Sequence, residues 1–135
     1  MGHRFESYTT HQFKMTYFLI GLGGALGATL RFYFSNYFSQ FVLFSIPLGT
    51  FLVNLLGCFL IGYFISNQEE ENALFINNFF AIGFLGAFTT FSAFTKEAFV
   101  FYNDESFLIF LVYTFFTVFL CLFSTYLGFK IFYNG

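Results

Sequence analysis

Charge is scarce in this chain. Asp, Glu, Lys and Arg together make up 9% of its 135 residues, where a soluble domain carries roughly a quarter. So few charges cannot solvate the surface of a globule, which excludes a soluble domain and points to a bilayer as the solvent. A formal net charge of −2, with the charges falling mainly in tail, loops and helix ends, also excludes a nucleic-acid partner. Cysteine occurs twice, at Cys58 and Cys121, inside apolar runs and without paired spacings or a neighbouring histidine. That pattern fits neither a disulfide framework nor a metal site, and both thiols read as small buried hydrophobes. Asp and Glu are missing from the interior of the first, second and fourth apolar runs. A proton-coupled exporter usually needs a titratable carboxylate at depth, and a channel does not. No catalytic residue is assigned, and the chain reads as a non-enzyme.

Apolar side chains are what the sequence has in plenty, 58% of the total, with 28 Phe among them. A helix needs about 20 residues to cross the hydrocarbon core. Four runs meet that length, at 15–38, 46–65, 73–101 and 107–129. They fill a single membrane domain, 15–135, behind a polar tail, 1–14, that lacks the apolar core of a signal peptide. The expected fold is all-α and integral to the membrane, with both termini on one side of a multi-pass protein of the cell membrane. Orientation is weakly encoded. Arg4, Lys14 and Lys130 lie on the terminal side against Arg31 and Lys96 on the other, so both orientations are open.

Within the first run, Gly21, Gly23, Gly24, Ala25, Gly27 and Ala28 fall on successive turns, and small residues at four-residue spacing let helix backbones approach closely. Pro47, the only proline, suits the start of the second helix, where its missing N–H costs nothing. Glu69, Glu70 and Glu71 read as a solvated loop, and Asn103 to Ser106 as the last one. The third run is anomalous, since 73–101 is longer than one untilted crossing requires. Its glycines and paired threonines predict a helix broken near mid-membrane, at about Gly86 to Thr90. Backbone freed there is tolerated only against protein or a polar cavity.

Polar residues inside the runs are costly and tend to face a pathway or a partner helix. Thr50, Asn54 and Cys58 stand at i, i+4 and i+8, as do Tyr113, Thr117 and Cys121. Each set lies on one helix face. Single interhelical hydrogen bonds would explain each residue alone, and two ladders converging on a broken helix make a polar track. Neutral amide and hydroxyl donors suit a small anion, whose hydration shell they replace without holding it as tightly as Lys or Arg would.

Three motifs then stand in order along the chain: Gly24-Ala-Leu-Gly-Ala-Thr-Leu-Arg31, Gly49-Thr-Phe-Leu-Val-Asn-Leu-Leu-Gly57, and Gly83 to Phe94 with its Thr-Thr-Phe-Ser-x-Phe core. Together they resemble the Fluc (CrcB) family of fluoride channels. The resemblance implies an antiparallel, dual-topology dimer with two separate fluoride pores and a sodium ion buried at the two-fold axis. It implies that Asn54 and Thr50 contribute donors to the path, that Phe91 and Phe94 line it with their ring edges, and that Ser92, Tyr113 and Thr117 belong to it. Arg31 matches a vestibule arginine. Gly86 and Thr89 match the positions whose backbone carbonyls hold the sodium.

The chain departs from that pattern at Ala87, where a second glycine is common, and at Ala93, where a threonine is common. Thr117 and Cys121 stand where serines are commoner. The expected activity is passive, fluoride-selective export that lowers cytoplasmic fluoride. The alternatives are a small four-helix dual-topology multidrug transporter and a non-conducting subunit of a heterodimeric channel. The partners are fluoride, the lipid bilayer, and a second copy of this chain or a related subunit.

Overall fold

The computed structural model describes residues 2–43, 46–66 and 75–133, with side chains from residue 13 onward except those of 104 and 105. Four helical stretches in it are long and apolar enough to cross a membrane, Phe13–Ser39, Leu48–Ser66, Ile76–Asn103 and Phe107–Phe132. Helix α1 (Gly2–Ser39) continues backwards through the polar segment ahead of the first span. Two short strands, β1 (Val42–Leu43) and β2 (Ile46–Pro47), pair antiparallel before α2 (Leu48–Ser66) begins. Pro47 therefore closes an extended pair immediately ahead of the helix, and the second span opens at Leu48 rather than 46. The acidic run Glu69 to Glu71, and the expected start of the third span at 73, lie outside the described residues.

The third span holds the departures from regular geometry. Its first half, π1 (Ile76–Leu85), is wound with i→i+5 bonds, and the Gly86 N–H reaches the Ala81 carbonyl in that pattern. A π-wound helix advances less per residue than an α-helix, so the winding absorbs part of the excess length that the sequence reading assigned to the break alone. One helical turn, α3 (Gly86–Phe88), follows. The break itself is two residues, Thr89 (φ −75°, ψ 153°) and Thr90 (φ −146°, ψ 112°), both extended. It is narrower than the Gly86 to Thr90 interval expected. Helix α4 (Phe91–Val100) restarts at once because the Thr90 hydroxyl accepts from the Ala93 N–H, 3.2 Å, as a helix N-cap. Ala87 sits inside the α3 turn, a geometry alanine adopts without strain, so the lost glycine does not restrict the backbone. Winding then continues through π2 (Phe101–Glu105), and the last loop shrinks to Ser106, which caps α5 (Phe107–Phe132) through the Leu108 N–H.

Packing pairs spans that are not adjacent in sequence. Gly23 lies against the Phe79 carbonyl and Gly27 against the Phe84 carbonyl, so α1 and π1 run parallel in close contact. Gly62 meets the Thr125 carbonyl and Gly128 the Phe59 carbonyl, which locks α2 against α5 in the same sense. At these seams a Cβ would strike backbone, which is why small residues occupy them. Phe115, Phe119 and Phe123 are exposed along α5, as expected of side chains that meet lipid. A small interior cluster of Phe94, Ala98, Phe101 and Tyr113 joins α4, π2 and α5.

Candidate functional site

The break is held by one side chain. Asn54, buried on α2, donates from Nδ2 to the Thr90 carbonyl at 3.0 Å and accepts from the Thr90 N–H on Oδ1 at 2.7 Å. A freed backbone unit inside a membrane must find polar partners, and a buried asparagine supplies both at once. Asn54 and Thr90 are both buried, which limits competition from water for these bonds. Thr89 is tied back by its N–H, 3.0 Å, and its hydroxyl, 2.9 Å, to the Leu85 carbonyl. Because the Thr90 N–H goes to Asn54, the Gly86 carbonyl loses the i+4 donor that a continuing helix would provide.

A cavity of about 280 Å³ opens at this point. Asn54, Thr89, Thr90, Phe91, Phe94 and Thr117 border it, with Cys58 and Cys121 on the same wall. Thr117 is 4% exposed, and its hydroxyl oxygen has no partner among the described residues. Asn54 Nδ2 has a second N–H beyond the one given to Thr90. The first turn of α4 starts here too, which adds the unsatisfied amides and partial positive charge of a helix N-terminus. Phe91 and Phe94 stand with ring centroids 5.5 Å apart and planes tilted by 45°. Phe94 is buried, whereas Phe91 is 73% exposed on this single chain. Among the described residues, no charged side chain lines the cavity. The arrangement offers neutral donors and aromatic edges, which suits a small desolvated anion.

The expected site residues divide. Asn54, Phe91, Phe94 and Thr117 meet at this cavity. Tyr113 does not border it; together with Thr117 it borders a neighbouring apolar cavity of about 370 Å³. Thr50 is turned away from both, its hydroxyl committed to Glu97 Oε1. Ser92 is exposed and its hydroxyl lies 3.2 Å from that of Thr90. Gly86 and Thr89 border a third cavity, about 240 Å³, which Cys58 also reaches. Arg31 is half-buried on α1 and borders none of these three, and its Nε has no partner among the described residues.

Glu97 is the residue whose place the sequence did not disclose. Its carboxyl accepts from Thr50 on one oxygen and from Tyr113 on the other, the latter at 2.7 Å, and so ties α2, α4 and α5 together. The signal was present, because Glu97 is the one Asp or Glu within the four described spans. Its two partners also belong to the two polar ladders.

Residues 18–129 match the sequence model of a family described as CrcB-like protein, Camphor Resistance (CrcB). The chain is 41% identical over 118 residues to the fluoride-specific ion channel FluC of Campylobacter jejuni subsp. jejuni serotype O:6, covering 87% of this chain and 97% of that protein. It is 41% identical over 118 residues to the fluoride-specific ion channel FluC of Thermosipho melanesiensis, covering 84% and 93%. Against the protein of the same name from Flavobacterium psychrophilum it is 37% identical over 115 residues, again covering 84% and 93%.

Proposed function

We propose, from the premise that this chain belongs to the CrcB family, that it conducts fluoride through the cavity at the Thr90 break. The chain is a multi-pass membrane protein and a fluoride-specific channel subunit. The observation that supports the path is the meeting of Asn54, Phe94 and the buried Thr117 at that one cavity, beside the break.

Fluoride entering here exchanges water for the Thr117 hydroxyl, the free N–H of Asn54 and the edges of Phe94 and Phe91. The N-terminus of α4 holds the potential positive. Each contact is neutral or partial, so the ion can leave as well as enter. Arg31 would act at a distance by raising the anion concentration near a mouth. Conduction needs no fuel. Hydrogen fluoride crosses the bilayer, ionises at near-neutral pH inside, and the trapped anion leaves through the channel.

A second copy in antiparallel orientation would complete the assembly. Phe91, exposed here, would then be covered, and the Gly86 and Thr89 carbonyls of both copies would hold a sodium ion at the axis. The Gly86 carbonyl without its helical donor fits such a role, since carbonyl oxygen suits a hard cation. Bound there, the ion would neutralise converging carbonyl dipoles.

The test is fluoride efflux from liposomes that contain this purified chain alone. Electrogenic fluoride loss without chloride loss is expected. Flux that appears only on adding a related subunit would assign a heteromeric channel, and silence in both preparations would overturn the reading.

A further inference from the structure

The sequence reads Cys58 and Cys121 as small buried hydrophobes at the ends of two polar ladders, and the fold brings them to one cavity. Cys58 on α2 and Cys121 on α5 lie side by side on that cavity, with Thr117 and Val118 of α5 beside them. Both thiols are free and half-buried, and both border the cavity that Asn54, Phe94 and Thr117 share. The helices that carry them are clamped by the reciprocal contacts of Gly62 and Gly128, so the distance between the sulfurs is set by the scaffold.

We infer that Cys58 and Cys121 form a two-coordinate site for a soft d10 monocation, Cu(I) or Ag(I), and that its occupation closes the anion path. The ligand set decides the metal class. Sulfur selects soft cations. Among the described residues no third Cys, His, Asp or Glu joins the pair, so zinc, which requires four ligands, is not served. Cations satisfied by two collinear thiolates are. Binding of Ag(I) breaks two S–H bonds, forms two S–Ag bonds and releases two protons to water. The product carries one net negative charge on the wall of the path, and that charge repels fluoride in a medium of low dielectric constant. Cys58 also borders the cavity of Gly86 and Thr89, so the bound cation would sit between the two chambers.

Binding is read independently of conduction, and only the closure arm rests on the fluoride-channel reading. Silver nitrate is titrated into the purified chain in chloride-free buffer. Uptake of about one Ag(I) per chain is expected, with both cysteines protected from N-ethylmaleimide as read by mass. Cys58→Ser and Cys121→Ser should each weaken silver binding by at least about tenfold. Zinc nitrate in the same titration should not protect the thiols. Unaltered silver affinity in either variant, or protection by zinc, overturns the site. In liposomes, the ratio of fluoride efflux with and without silver should fall at least about tenfold in the parent chain and recover in both variants. Silver that binds and leaves this ratio at one overturns closure. No efflux before silver is added, with binding intact, instead defeats the channel reading and leaves the metal site standing.

Discussion

Asn54 and Thr90 exchange two hydrogen bonds, amide to carbonyl at 3.0 Å and N–H to amide oxygen at 2.7 Å, across the seam between α2 and the interrupted third span. One asparagine thus replaces the backbone partners that the break removed, and does so beside the cavity through which fluoride is proposed to pass. On that proposal, scaffold and path depend on the same side chain.

Replacing Asn54 by Asp removes the amide donor. The Thr90 carbonyl is then left facing an acceptor, and the free N–H that an anion would use is gone. A buried polar group left unsatisfied costs about 1–3 kcal/mol. Fluoride efflux from liposomes should fall by at least about tenfold, and the melting temperature in detergent should drop. Undiminished flux would show that the Asn54 amide is not needed in the path.

Phe94→Ile keeps an apolar side chain in the interior cluster and removes the ring edge from the cavity. The expected result is a folded protein, eluting from a sizing column like the parent, with efflux reduced by at least about tenfold. If flux survives at the parent level, the Phe94 ring serves packing alone.

The bonds from Thr50 and Tyr113 to Glu97 make a network that pairwise deletion should reveal. Thr50→Val and Glu97→Leu are each expected to destabilise the chain by roughly 1–3 kcal/mol. Because they remove the same bond, the double variant should cost less than the sum. Denaturation in mixed micelles measures all four corners of the cycle, and strict additivity would show that the Thr50 bond contributes nothing.

Gly128→Ala places a methyl group against the Phe59 carbonyl at the seam of α2 and α5. Overpacking of this kind costs about 1–3 kcal/mol. The helices that carry Cys58, Thr117 and Cys121 would be pushed apart, so thermal stability and fluoride flux should decline together. Gly21, which has nothing within 4 Å of its Cβ direction, is the control position: Gly21→Ala should change neither.

Much of the candidate site was legible because its signals are local. Paired threonines after a glycine-rich stretch marked the break, and the i, i+4, i+8 spacing of Thr50, Asn54 and Cys58 marked a polar face. The roles within that face were not legible. Thr50 and Tyr113 were expected in the path, and their hydroxyls are bound to Glu97. Which of several neighbouring polar groups a hydroxyl meets is set by helix rotation, which one-dimensional spacing does not contain.

The sequence by itself determined four membrane spans, the place where the third is interrupted, and the small residues that permit close contact. Transfer to hydrocarbon, helix capping and backbone sterics act on neighbours in the chain, so their imprint is linear. Tertiary structure decided that the first span packs on the third and the second on the fourth, that π1 is wound wide, that Asn54 clamps Thr90, and that Cys58 meets Cys121 at one cavity. With 28 phenylalanines, apolar faces are everywhere and select no pairing. The choice fell to contacts between residues far apart in sequence, made where a glycine leaves room for a carbonyl and a buried amide finds the backbone unit that needs it.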